Sequence, residues 1–151
     1  MISIARTSFY KRRNFLLLNP QAKLNLGSTA LHVAAGVPDI NPDIISILLE
    51  HGCNPNERDE KGKTALHLAS NKLLNKPDTI LILLAGGCEP NLKDEKGNTA
   101  LHVALKRRKL NQDIIITLLE CGCKPDEQDS WVKKKSVLFF RKCFSKLIGS
   151  T

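Results

Sequence analysis

Residues 93–104 read KDEKGNTALHVA, and residues 58–69 read RDEKGKTALHLA. A looser copy, LNLGSTALHVA, occupies residues 24–34. Aligned on Gly27, Gly62 and Gly97, the three copies are 35 residues apart, a period typical of stacked repeats. The register extends well beyond the quoted stretch. Thr-Ala-Leu-His recurs at 29–32, 64–67 and 99–102, and is followed by small residues. Then come NPD, KPD or NQD at 41–43, 76–78 and 111–113, and the aliphatic runs IISILL, TILILL and IIITLL. Each unit closes with HGCNPN, GGCEPN or CGCKPD.

Elementary rules turn this order into local structure. Thr29, Thr64 and Thr99 follow a glycine turn and suit the cap of a short first helix. Ala34, Ala69 and Ala104 are small enough for neighbouring units to pack closely. Prolines 38, 42 and 77 mark the loop that stops this helix. A second helix is predicted to start near Asn41, Lys76 and Asn111, with Pro42 and Pro77 in its first turn. Asp43, Asp78 and Asp113 complement its positive end. Its apolar face is predicted from Ile44, Ile45, Leu48 and Leu49, from Ile80, Leu83 and Leu84, and from Ile114, Ile115, Leu118 and Leu119. Gly52, Gly87 and Gly122 are expected to end it in a left-handed conformation. A helix pair this short cannot bury its own apolar face, but copies stacked side by side can.

Gly-x-Thr-Ala-Leu-His, an alanine, then Leu-Leu-x-x-Gly-Cys-x-Pro-Asn resembles the ankyrin repeat, in three full copies over about residues 27–129. Two features depart from that family. The period is 35 rather than 33, with the additional residues in the loop between the helices. Alanine (Ala30, Ala65, Ala100) stands where the family usually has proline. The resemblance implies an all-α solenoid of stacked helix-turn-helix units with short β-hairpin-like loops. The expected divisions are a basic N-terminal cap built as a partial repeat (1–26), repeats at 27–59, 60–94 and 95–129, and a basic amphipathic capping helix (130–151). Val137, Phe140, Phe144 and Leu147 fall on one face of that last helix.

Composition bounds the function. The 151 residues are 42% hydrophobic and 25% charged, as in an ordinary globular chain. No apolar run approaches the roughly 20 residues of a membrane helix. The N-terminal order of charge and hydrophobicity is not that of a secretory signal. A cytoplasmic or nuclear location is therefore expected. The net charge of +8 is concentrated at the ends: residues 1–26 and 131–151 hold eleven of the 23 basic residues and none of the 15 acids. Such ends could meet nucleic acid or an anionic membrane, with Phe139, Phe140 and Phe144 inserted in the second case. Lys106–Lys109 also fit a short basic nuclear-import pattern.

Candidate chemistry is sparse. His32, His67 and His102 share one register, but stacked units would space them about 10 Å apart, whereas zinc ligands lie about 2 Å from one ion. The resemblance gives this histidine a structural task, joining the threonine to pin the turn. Cys53, Cys88 and Cys123 occupy a position suited to a small apolar residue. Five cysteines without a C-x-x-C pair do not make a disulfide framework or a metal site. There is no G-x-S-x-G, Walker, H-E-x-x-H or Rossmann signature. No catalysis, cofactor or metal is expected.

The resemblance points instead to a groove lined by hairpin tips and first helices. By position these are Arg58, Glu60, Lys61, Lys63, Asn71 and Lys72 in one unit, and Lys93, Glu95, Lys96, Asn98, Lys106 and Arg107 in the next. Eight of the twelve are basic and two are acidic, so the expected partner is a protein with an acidic patch, bound by a monomer. Two further expectations follow from the resemblance. Asn56 and Asn91 stand where ankyrin proteins are sometimes hydroxylated. Phe139, Cys143 and Leu147 partly match the spacing of the box that recruits ubiquitin-ligase adaptors.

Overall fold

The computed structural model describes residues 22–24, 27–71, 76–106 and 110–125, together with Lys134. Six helices lie among them: α1 (Ala30–Gly36), α2 (Pro42–Glu50), α3 (Ala65–Ser70), α4 (Pro77–Ala85), α5 (Ala100–Leu105) and α6 (Gln112–Glu120). α1, α3 and α5 pack in series, as do α2, α4 and α6, and each odd-numbered helix packs on the one that follows it. The result is two helical layers assembled from three helix pairs, the all-α stack that the repeat implied. The capping segments expected at 1–26 and 130–151 lie almost wholly outside the described residues.

The boundaries form where the local chemistry places them. Thr29, Thr64 and Thr99 are extended N-caps of α1, α3 and α5, each in a capping box completed by the histidine three residues on. Asn41 and Asn111 cap α2 and α6, accepting from Asp43 N–H at 3.0 Å and Ile114 N–H at 3.3 Å. Lys76 precedes α4 without a side-chain cap, and Pro77 supplies a preset first turn instead. At the far end of α2, Gly52 has φ +83°. Gly52 N–H reaches Leu49 O and Cys53 N–H reaches Leu48 O, the Schellman pairing that satisfies the last carbonyls. α4 and α6 end in the same way at Gly87 and Gly122.

Leu31, Leu66 and Leu101 are buried in one layer, and Ile45, Ile80, Leu83, Ile115 and Leu118 in the other. Each contributes about 1.5–3 kcal/mol on burial. The N1 alanines, Ala30, Ala65 and Ala100, are also buried, so a small side chain suits the close approach of consecutive first helices. One expectation is corrected. Ile44 does not join the apolar face of α2; it is 45% exposed, whereas its counterparts Thr79 and Ile114 are buried. The face it occupies is covered by the preceding unit in the second and third pairs.

Candidate functional site

The DEKG stretches build the tips that project between helix pairs. Asp59 Oδ1 accepts from Lys61 N–H at 2.9 Å and Lys63 N–H at 2.8 Å, while Gly62 N–H donates back to Asp59 O at 2.9 Å. Asp94 repeats the arrangement with Lys96 N–H at 2.9 Å, Asn98 N–H at 2.8 Å and the Asn98 amide at 3.1 Å. Burial pushes the Asp94 carboxyl up. The Asn98 N–H, the Asn98 amide, the Lys96 N–H and nearby His67 outweigh it and hold the group below the ordinary carboxylate range. One carboxylate thus fixes each turn, and the lysine beside it is carried on ordered backbone.

Each tip is also fastened to the neighbouring units. His67 Nδ1 accepts from Thr64 N–H at 3.1 Å and lies 2.9 Å from Thr64 Oγ1. Because a backbone N–H can only donate, Nδ1 is bare and the proton sits on Nε2. Nε2 then donates to Asn98 O, in the next tip, at 2.9 Å. His32 does the same with Thr29 and with Lys63 O at 2.9 Å. Burial lowers the His67 pKa from its ordinary value, against the Asn98 carbonyl and the Asp94 carboxylate, which favour the charged form. The tips also touch directly: Glu95 N–H donates to Lys61 O at 3.2 Å, and the Arg58 guanidinium donates to Lys93 O.

This arrangement sorts the expected binding residues. Arg58, Glu60, Lys61, Lys93, Glu95, Lys96 and Lys106 are exposed, and Lys63 and Asn71 are half-buried. Asn98 is corrected: it is buried, with its amide on the Asp94 carboxylate and its Oδ1 accepting from the Lys106 ammonium, so it supports the tip from beneath. Lys72 and Arg107 lie outside the described residues, as do Arg108 and Lys109 of the import pattern and Phe139, Cys143 and Leu147.

Sequence reasoning missed what Asn56 and Asn91 do in the fold. The Asn56 amide donates to Gly87 O at 3.0 Å and its Oδ1 accepts from Glu89 N–H at 2.7 Å. Asn91 binds Gly122 O at 3.1 Å and Lys124 N–H at 2.8 Å. Each exit turn is thereby sewn to the helix end of the next unit. The recurrence of Pro-Asn one period apart was the available signal.

Cys88 and Cys123 are equally structural. Cys88 Sγ donates to Pro55 O at 3.4 Å and Cys123 Sγ to Pro90 O at 3.5 Å. Burial pushes both thiols up to about 12, far from thiolate character at neutral pH. Among the described residues, no group of three or more histidine, cysteine or acidic side chains is placed to hold a metal ion, and no helix is long and apolar enough to cross a membrane.

The comparisons with known proteins agree with this geometry. A family model described as ankyrin repeats, in three copies, matches residues 8–94, and one described as ankyrin repeat matches residues 96–130. A search of the curated proteins found no match.

Proposed function

Because the chain belongs to the ankyrin-repeat family, whose repeats serve generally as protein–protein interaction modules, we propose that its hairpin-tip face is a docking surface for an acidic segment of another protein. One observation carries the reading. Arg58 with Lys93, and Lys61 with Lys96, place basic side chains at matching positions of consecutive tips whose backbones are already ordered by Asp59 and Asp94. A surface fixed before binding loses little conformational entropy on association. The exposed basic side chains would pair with an acidic patch at short range and discriminate against basic partners. The reading is of a non-catalytic scaffold, acting as a monomer in the cytoplasm or nucleus.

The test is affinity capture from a lysate with the native chain and with Lys61→Glu/Lys96→Glu, both quantified by mass spectrometry. The expected result is a set of proteins, rich in acidic segments, that the variant loses. Identical sets from the two baits would refute the assignment. A complex that instead falls steeply with salt while ignoring the tip reversal would move binding to phosphates at the basic ends.

A further inference from the structure

The tips at Asp59 and Asp94 repeat two signs of charge and not one. Glu60 and Lys61 stand in the register of Glu95 and Lys96, and all four side chains are exposed. Among the described residues, no ion pair joins either glutamate to a lysine. Neighbouring basic groups are already engaged: the Arg58 guanidinium donates to Lys93 O, and the Lys106 ammonium donates to Asn98 Oδ1. The Lys61 and Lys96 ammoniums meet no acceptor among the described residues. Their backbones, by contrast, are fixed. Asp59 and Asp94 accept from Lys61 N–H and Lys96 N–H, each at 2.9 Å, and Lys61 O accepts from Glu95 N–H at 3.2 Å. One hydrogen bond thus ties the two lysine-bearing turns to each other, and the two ammoniums stand on a single supported base.

Resting on the reading of the tips as a docking surface, we propose that the partner segment is not a continuous acidic run. It is a polyproline II stretch with carboxylates three residues apart, one for Lys61 and one for Lys96. Spacing is the first argument. Equivalent points on packed helical units lie about 10 Å apart. In polyproline II three residues make one turn of about 9 Å, so side chains i and i+3 share a face and match that step. In a β-strand, side chains on one face come at roughly 7 or 13 Å, and i+3 points to the other face. Sign is the second argument. A carboxylate at every position would also face Glu60 and Glu95, and like charges set together cost affinity. Neutral residues between the two acids avoid that repulsion. Entropy is the third argument. A proline-rich segment is extended before it binds, so little ordering is lost on either side of the contact.

Four synthetic peptides of equal length, each with two glutamates, test this by NMR titration of the isotope-labelled full chain, a method suited to weak binding. Three have a proline-serine background, with the acids adjacent, two apart or three apart. The fourth is an alanine-rich helix with the acids seven apart. The readout is the shift of the Lys61 and Lys96 amides. Acids three apart should bind tighter than either closer spacing by at least about fivefold, the worth of one surface ion pair. Lys61→Gln or Lys96→Gln alone should remove that preference. Equal affinities for all four peptides, or a preference that survives both variants, overturn the proposal and leave the broader acidic-patch reading in place. A helical peptide that binds as well as the extended one also overturns it. No shift at the tips with any peptide overturns both.

Discussion

Replacing His67 with alanine probes the bond system that joins one helix pair to the next. The imidazole receives Thr64 N–H at 3.1 Å, sits 2.9 Å from Thr64 Oγ1, and donates to Asn98 O at 2.9 Å. His67 and Thr64 are each 2% exposed, so water does not stand ready to replace the ring. Loss of the reciprocal cap costs about 1 kcal/mol. Each buried polar group left without a partner costs about 1–3 kcal/mol, partly relieved where a water enters the space. Together these give about 3–5 kcal/mol, a large part of the 5–15 kcal/mol typical of a domain. Urea unfolding followed by far-UV circular dichroism measures it. His51→Ala serves as the control, because His51 is exposed and its ring, among the described residues, bonds to Ile47 O in its own helix. A loss below about 1 kcal/mol, or one no larger than the control, would show that the ring is a filler and not a connector.

Three other outcomes are expected. The folded chain holds His67 neutral below its ordinary pKa of 6.5, so the unfolded chain binds the additional proton. The stability it contributes is complete above about pH 6.5 and declines as pH falls through the folded value, by at most about 1.4 kcal/mol per pH unit. Urea midpoints between pH 7 and pH 5 check this, and His67→Ala should flatten the slope. Gly62 has φ +68°, and a Cβ there would meet Glu95 N at 2.9 Å, whereas at Gly97, φ +75°, none of the described residues lies within 4 Å. Gly97→Ala should therefore cost about 1 kcal/mol and Gly62→Ala clearly more; equal thermal shifts would deny the tip-to-tip contact. Thr79 Oγ1 is buried without a hydrogen-bond partner among the described residues. Thr79→Val should stabilise the chain by about 0.5–1.5 kcal/mol in the same urea assay, and a loss would mean the hydroxyl is satisfied after all.

The elements most legible in the sequence were those set by a few adjacent residues. Thr29, Asn41 and Gly52, with their counterparts one and two periods on, placed helix starts and ends because capping and left-handed turns are local chemistry. The repeat itself carried the stacking. Contacts between units were less legible. Ile44 and Ile114 belong to the same pattern, yet one is exposed and the other buried, because burial there depends on what precedes the unit. Asn98 looked like a tip residue open to a partner, but a buried Asp94 carboxylate four positions back claims its amide. Asn56 was singled out for modification, whereas its bonds to Gly87 and Glu89 span units that no single repeat reveals.

The hydrogen bonds that tie the units together have a common reach. From His32 to Lys63 it is 31 residues, and from Arg58 to Lys93 it is 35. Each of these bonds joins immediate neighbours, so their contribution to contact order is set by the period and not by the length of the chain. Folding can therefore start in any adjoining pair and spread like a zip. An in-frame duplication of residues 60–94 would bring its own seams on both sides. Such a molecule can grow by whole modules without rewiring what it already has.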